Sequence, residues 1–345
     1  MMTTRITELV AALCSPACAG RRPGTPGGRA GRRHVAEALR AAGCDPFEQP
    51  VRGCGGANVL ALVPGTLDRW IVVGAHHDHL GQLGGETYRG ADDNAAAVAV
   101  LVEVGRALAG ERHGRGVILA AFDGEEPPYF TTGAMGSQAF VAAPPVPREA
   151  IDFMVCMDLV GHRLGPPEVP DAVGDTLFAL GAERSAGTLD LVRSLRAAEP
   201  GVVVRAADAD IIPPLSDYEP FWRARIPFLF LSAGRSRVYH TPDDVPELLD
   251  VPKLAATARW LTGFVRALRV RDTRLAWHDG GSADAATLDE AADLLGLLAP
   301  LAHEAGAALR QVHALRGACD RSGRLPGTHR HQLGALLAAL EARLA

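Results

Sequence analysis

The stretch IVVGAHHDHLGQ (residues 71–82) runs an apolar segment straight into three histidines and an aspartate. An apolar run without polar alternation suits a strand covered on both faces, as in a sheet flanked by helices. The polar cluster then falls at the carboxyl end of the strand, where ligands collect in open α/β sheets. Which of His76, His77 and His79 carries chemistry depends on what the rest of the chain brings to the same rim.

Working outward, similar apolar runs occur at NVLALV (58–63), GVILAAF (116–122), IDFMVCMDL (151–159), VVVRA (202–206) and PFLFLSA (227–233). Helix-like segments stand between several of them, at 31–42, 94–109, 186–198 and 251–268. Strand and helix alternating in this way predict an α/β fold, a mostly parallel central sheet with helices on both faces. GRRPGTPGG (20–28) reads as a loop from its Gly and Pro content.

From about residue 273 the character changes. Two helical stretches separated by CDRSGRLPGT (319–328) predict a helical appendage over 273–345, beside a catalytic domain over 1–272. Leu288, Leu294, Leu295 and Leu298 share helical spacing and make an apolar face that must be buried. It packs on the sheet domain or on a second copy, which would make a homo-oligomer through the C-terminal helices. The tail is expected to matter for solubility and not for chemistry.

Composition narrows the function. A formal charge of −5 excludes a general nucleic-acid binder, which would carry a basic stripe. No apolar run reaches the roughly 20 residues that span a bilayer. The N-terminal MMTTRITELVAALCSPACAG is a poor export signal, because Glu8 interrupts a short apolar core, so a cytoplasmic protein is favoured over a secreted or periplasmic one. Six cysteines without a CxxC make neither a disulfide framework nor a cysteine zinc knuckle, although Cys14 and Cys18, and Cys44 and Cys54, lie close enough for bridges. Lys253 is the only lysine.

Five segments aim acids or imidazoles at one rim: His76-His77-Asp78-His79, GADDNAAA (90–97), DGEEPP (123–128), Asp158 and YHTPDD (239–244). Each alone has a plain structural reading. Asp92 or Asp93 could cap a helix, a Glu-Glu pair is commonly a solvated turn, and Asp158 could be a satisfied buried acid. Together they leave unpaired charges at apolar strand ends, which is costly unless something positive neutralises them. A pair of divalent metal ions held by mixed imidazole and carboxylate ligands explains all five.

In this order, GAHHDHLG, GADDNAAA, DGEE, MDLVG and YHTPDD resemble the co-catalytic zinc exopeptidase family, which includes bacterial leucyl aminopeptidases, glutamate carboxypeptidase and glutaminyl cyclases. The resemblance covers about residues 5–270 and implies an α/β/α sandwich, a peptide substrate and two zinc ions per chain. Matched by position, it makes His76 and Asp158 ligands of one zinc, Glu126 and His240 ligands of the other, and Asp93 the bridge. Glu125 becomes the general base and Asp78 the acid that orients His76. Residues two apart on an extended strand share a face, so Asp78 lies on the His76 side, while His77 and His79 are expected on the other face as packing or rim residues. The resemblance also implies a cis peptide between Asp93 and Asn94. One departure is PPYFTTGAM (127–135), a longer link before Gly136-Ser137 than family peptidases usually have. It keeps a cyclase-like, amide-processing enzyme with one working zinc as the alternative to an aminopeptidase.

Overall fold

The computed structural model describes all 345 residues, Met1–Ala345. Its core is an eight-stranded sheet in the order β1-β2-β6-β3-β7-β10-β8-β9. The strands are β1 (Pro46–Val51), β2 (Gly56–Val63), β3 (Leu67–His76), β6 (Arg115–Phe122), β7 (Ile151–Met157), β8 (Thr176–Leu180), β9 (Val203–Ala207) and β10 (Phe228–Ser232). A separate small hairpin pairs β4 (Gly81–Leu83) with β5 (Glu86–Tyr88). The central block β6-β3-β7-β10 is parallel throughout. Within this sheet, antiparallel pairing is confined to β1-β2, β2-β6 and β10-β8.

Strand residues alternate between two cores, as strand geometry requires. Ile71, Val73 and Ala75 of β3 enter the larger core, while Val72 enters the smaller one. Helices α1 (Met2–Leu13), α2 (Pro26–Ala41), α3 (Ala96–Leu108) and α4 (Val251–Arg269) supply the larger core. The short helices Gly136–Ala142 and Glu219–Arg223 cover the other face through Phe140 and Phe221. This is the α/β/α sandwich expected from the uniformly apolar strands.

Three details differ from the sequence reading. Helix α2 starts at Pro26, inside the segment read as a loop. Thr25 Oγ1 accepts from the Gly28 N–H and Pro26 opens the first turn, a favoured helix start. Gly27 and Gly28 are needed there because a Cβ on either would strike the carbonyls of Cys18 and Arg22. Strands β1 and β8 carried no clear apolar signal, β1 being an edge strand with two prolines. The tail forms three helices instead of two stretches: α5 (Asp284–Leu298), α6 (His303–Gly317) and α7 (Gly327–Leu344). Pro300 cannot continue α5 and divides what reads as one helix.

Leu288, Leu294, Leu295 and Leu298 all join the larger core, so the apolar face of α5 is buried within the same chain, against β9. Ion pairs reinforce the docking. Arg205 reaches Glu290 (2.9 Å) and Asp293 (2.6 Å), and Arg330 reaches Asp208 (3.0 Å) and Asp284 (2.9 Å). The last turn of α7 meets the loops around the carboxyl rim of the sheet. Glu341 accepts from the Arg235 N–H (3.1 Å), and the Gly165 N–H donates to the Leu344 carbonyl (2.7 Å). Lys253, fully buried in α4, donates to the carbonyls of His162 (2.7 Å), Gly174 (3.2 Å) and Thr176 (3.0 Å). All six cysteines are free thiols, and no helix is long and apolar enough to cross a membrane.

Candidate metal centre

The parallel block aligns its carboxyl ends, and the site is built on them. His76 closes β3 opposite Phe122, the last residue of β6. Glu125 and Glu126 follow β6 in a turn held by the Asp78 carboxylate, whose Oδ1 accepts from the Glu125 N–H (3.1 Å) and Oδ2 from the Glu126 N–H (3.2 Å). Asp158 follows β7, its N–H donating to the Leu231 carbonyl of β10 (3.1 Å). Asp93 lies just before α3, where Asp93 and Asn94 leave helical geometry and their peptide bond is cis. The backbone there is fixed by Asp244, which accepts from the N–H groups of Asp92 (2.8 Å) and Asp93 (3.1 Å). His240 sits in the loop after β10 and stacks on Tyr239.

Two clusters result. His76 Nε2 lies 3.3 Å from Asp93 Oδ1 and 3.5 Å from Asp158 Oδ1. His240 Nε2 lies 3.2 Å from Asp93 Oδ2 and 3.1 Å from Glu126 Oε2. The two oxygens of Asp93 therefore face different clusters. Ligands about 2.0–2.1 Å from a tetrahedral ion stand about 3.3 Å apart, the edge of that tetrahedron, and these spacings match it.

Hydrogen bonding gives an independent test of fit. His76 Nε2, Asp93 Oδ2, Glu126 Oε1 and Asp158 Oδ1 are buried without a hydrogen-bond partner. Buried polar atoms are normally paired, so these orphans, His76 Nε2 and Asp158 Oδ1 in one cluster and Asp93 Oδ2 and Glu126 Oε1 in the other, describe places for cations. The electrostatics agree. Burial lowers the His240 pKa, but Asp93 and Glu126 outweigh it and push the imidazole up to about 10. His76 is also raised well above its usual value, burial opposing and Glu125 and Asp158 prevailing. Asp93 is held far below the carboxylate range, burial being overcome by His240 and His76. The carboxylates thus favour positive charge at this rim.

All the residues singled out from sequence, His76, Asp78, Asp93, Glu125, Glu126, Asp158 and His240, meet at this rim. Asp78 does more than its sequence position suggests. His76 Nδ1 approaches the Asp78 backbone carbonyl (3.3 Å) more closely than its carboxylate (3.7 Å), which is engaged with the Glu125–Glu126 turn. Asp92 stays outside the clusters, accepting from the Gly161 N–H (2.6 Å) and His162 Nδ1 (2.6 Å).

His77 turns away from the site, and its Nε2–H donates to the Ala57 carbonyl (3.1 Å). His79 does not follow it, correcting the expectation of a rim residue. Its ring is fully buried with Nδ1 2.7 Å from Glu126 Oε1 and 3.9 Å from Asp93 Oδ2. The physical reason is that β3 ends at His76, so the two-residue alternation does not extend to His79. Asp244 and Asp217 were also missed. Asp217 is buried with neither oxygen paired, and burial pushes its carboxyl up to about 7 against the lowering influence of His76. Only the second Asp of YHTPDD, four residues after His240, hinted at Asp244.

Residues 58–265 match the model of peptidase family M28, a span holding every cluster residue. The chain belongs to this family. It is 27% identical to the Escherichia coli protein YfbL over 227 residues, covering 60% of this chain and 69% of YfbL. It is 28% identical to the glutaminyl-peptide cyclotransferase of Boiga irregularis over 286 residues, covering 71% of this chain and 76% of that enzyme. The fold is that of the Legionella pneumophila aminopeptidase LapA, with a TM-score of 0.62 at 16% identity, covering 78% of this chain and 72% of LapA.

Proposed function

We propose that this M28 peptidase is a zinc-dependent aminopeptidase that removes N-terminal residues from short peptides, with two zinc ions per chain. The observation that carries the reading is Asp93, whose two oxygens face two separate histidine–carboxylate clusters. His76 and Asp158 would hold one ion, Glu126 and His240 the other, and Asp93 would bridge them. Zinc supplies Lewis acidity there, lowering the pKa of water and polarising the scissile carbonyl.

The chain's residues do the rest. Glu125 is the general base, taking a proton from the attacking water and returning it to the leaving amine. Its Oε2 lies 3.9 Å from His76 Nε2 and it is 7% exposed. Burial raises its pKa well above normal, opposed by His76 and reinforced by Asp158 and Glu126. A bound cation would oppose that rise, because it favours the carboxylate form of a neighbouring acid. Asp78 fixes Glu125 and Glu126 together through their N–H groups, so base and ligand keep one geometry.

A cyclase-like reading with one working zinc is favoured by the segment 127–135 and by the Boiga irregularis relative. The deciding experiment is a panel of aminoacyl-nitroanilides and N-terminal Gln peptides, assayed with and without chelator, alongside zinc analysis. Nitroaniline release that chelator abolishes and zinc restores, with two ions per chain, is expected. Ring closure of N-terminal Gln without hydrolysis, at one ion per chain, would replace the aminopeptidase with the cyclase.

A further inference from the structure

We propose that a cleft at the amino ends of β7 and β10 binds a small phosphate monoester with an apolar body, at a site separate from the metal centre. The cleft has a volume of about 280 Å³ and takes in Ile151 and Pro227, where these two strands begin. Asp158 follows the other end of β7, about 20 Å away at the roughly 3.3 Å rise of a strand residue. Three segments meet in the cleft: the turn before β7, the turn before β10, and residues 274–277, which lead from the catalytic domain into the tail.

Charge identifies the ligand. Arg148, Arg225 and Arg274 line the cleft against one acid, Glu149, leaving a surplus of two positive charges in a chain whose formal charge is −5. Neighbouring acids do not cancel it. Asp152 is buried and already pairs with Arg69 (2.9 Å) and Arg115 (2.8 Å), leaving Arg274 at 3.6 Å. Asp279 reaches Arg225 at 3.1 Å, but both side chains are exposed, and such a pair contributes little. A phosphate monoester carries about −1.5 to −2 near neutral pH, which matches the surplus better than a single carboxylate does. Guanidinium forks also suit its oxygens, taking two at a time. Beside the arginines the lining is apolar: Ile151, Ile226 and Leu275 are buried, and Trp277 is half-buried.

The backbone of Arg225 is an observation independent of charge. It follows the helix Glu219–Arg223 with φ +56°, and the next N–H, of Ile226, returns to the Phe221 carbonyl (2.9 Å). Glycine is the usual residue at this left-handed helix end, because a side chain is disfavoured there. The chain places an arginine where glycine would sit without strain, and that arginine lines the cleft.

Calorimetric titration of the full chain with phenyl phosphate, inorganic phosphate and benzoate reads the site without measuring turnover. Phenyl phosphate should bind at least about tenfold more tightly than either comparison ion, since one lacks the apolar body and the other the second charge. Arg225→Gly, which suits the backbone, should weaken it by at least about tenfold without lowering the thermal midpoint of the free protein. Arg148→Gln should weaken it likewise, and His240→Ala should leave it within about twofold. Absence of binding would overturn the site. So would binding that His240→Ala removes and both arginine variants keep, since the phosphate would then sit at the metal centre. Inorganic phosphate bound as tightly as phenyl phosphate would overturn the apolar part of the ligand, and benzoate bound as tightly would overturn the phosphate.

Discussion

Asp78→Asn tests how the site is held together. The two oxygens of Asp78 accept from the N–H groups of consecutive residues, Glu125 and Glu126, at 3.1 and 3.2 Å. Asparagine has the same shape but only one acceptor oxygen, so its NH2 must face one of those N–H groups. A buried N–H left unpaired costs about 1–3 kcal/mol, and here that cost falls on the turn carrying the base and a ligand. If it is transmitted to the site, zinc affinity at the Glu126 cluster drops roughly 10- to 100-fold, the scale on which groups supporting metal ligands act. Turnover at saturating zinc should fall as well, because Glu125 moves with Glu126. Had Asp78 worked solely through His76, the loss would concentrate in the cluster of His76 and Asp158. Chelator-competition titration of both ions, paired with kcat at saturating zinc, reads the two cases apart. Binding of both ions and kcat all within about twofold of wild type would refute the reasoning.

Glu125→Gln should lower kcat by about 10²–10⁴-fold with zinc content intact and KM little changed, whereas Glu126→Ala should lose zinc as well as turnover; the reverse pattern in metal analysis would exchange their roles. Lys253→Met leaves three buried carbonyls without their donor and should cost about 3 kcal/mol in urea unfolding. Burial lowers the Lys253 pKa from 10.5 to about 8, so between those values the unfolded chain holds a proton the folded chain has released, and wild-type stability gains from this group as pH rises. Subtracting the Lys253→Met profile should isolate that slope, and a difference that is flat or falls with pH over the window would contradict it. Deleting residues 273–345 removes α5 from β9 and should give an aggregation-prone protein; a soluble, fully active 1–272 fragment would show that the tail is a loose accessory.

The parallel centre of the fold was legible because its strands, such as Val117–Phe122 and Phe153–Met157, are apolar at every position and fully buried. Elements whose signal lay in shape were not. Helix α2 begins on a Thr-Pro-Gly-Gly segment that composition alone assigns to a loop, and β1 keeps its place through backbone pairing despite two prolines. In the site, residues directly at strand ends could be placed from sequence, as with His76 and Asp158. His79 and Asp244 could not, because their positions depend on how the chain turns after the strand and on pairing with residues more than ten positions away. The only lysine carried no sequence signal of its burial, which arises where the 162–176 segment crosses α4 and presents three carbonyls to one point.

The last turn of α7 gives the tail a second connection, far from its main seat on β9. Glu341 grips the backbone at Arg235, five residues before His240, and Leu344 takes the Gly165 N–H, seven residues after Asp158. His240 has the most exposed side chain among the cluster residues and a backbone in the left-handed region, so its position depends on that loop. If His240 holds a cation as proposed, tail docking and cation binding would be linked equilibria, because coupling between two sites is reciprocal. An ion bound there would make the end of α7 harder to detach, and pulling α7 away would loosen the ion by the same factor.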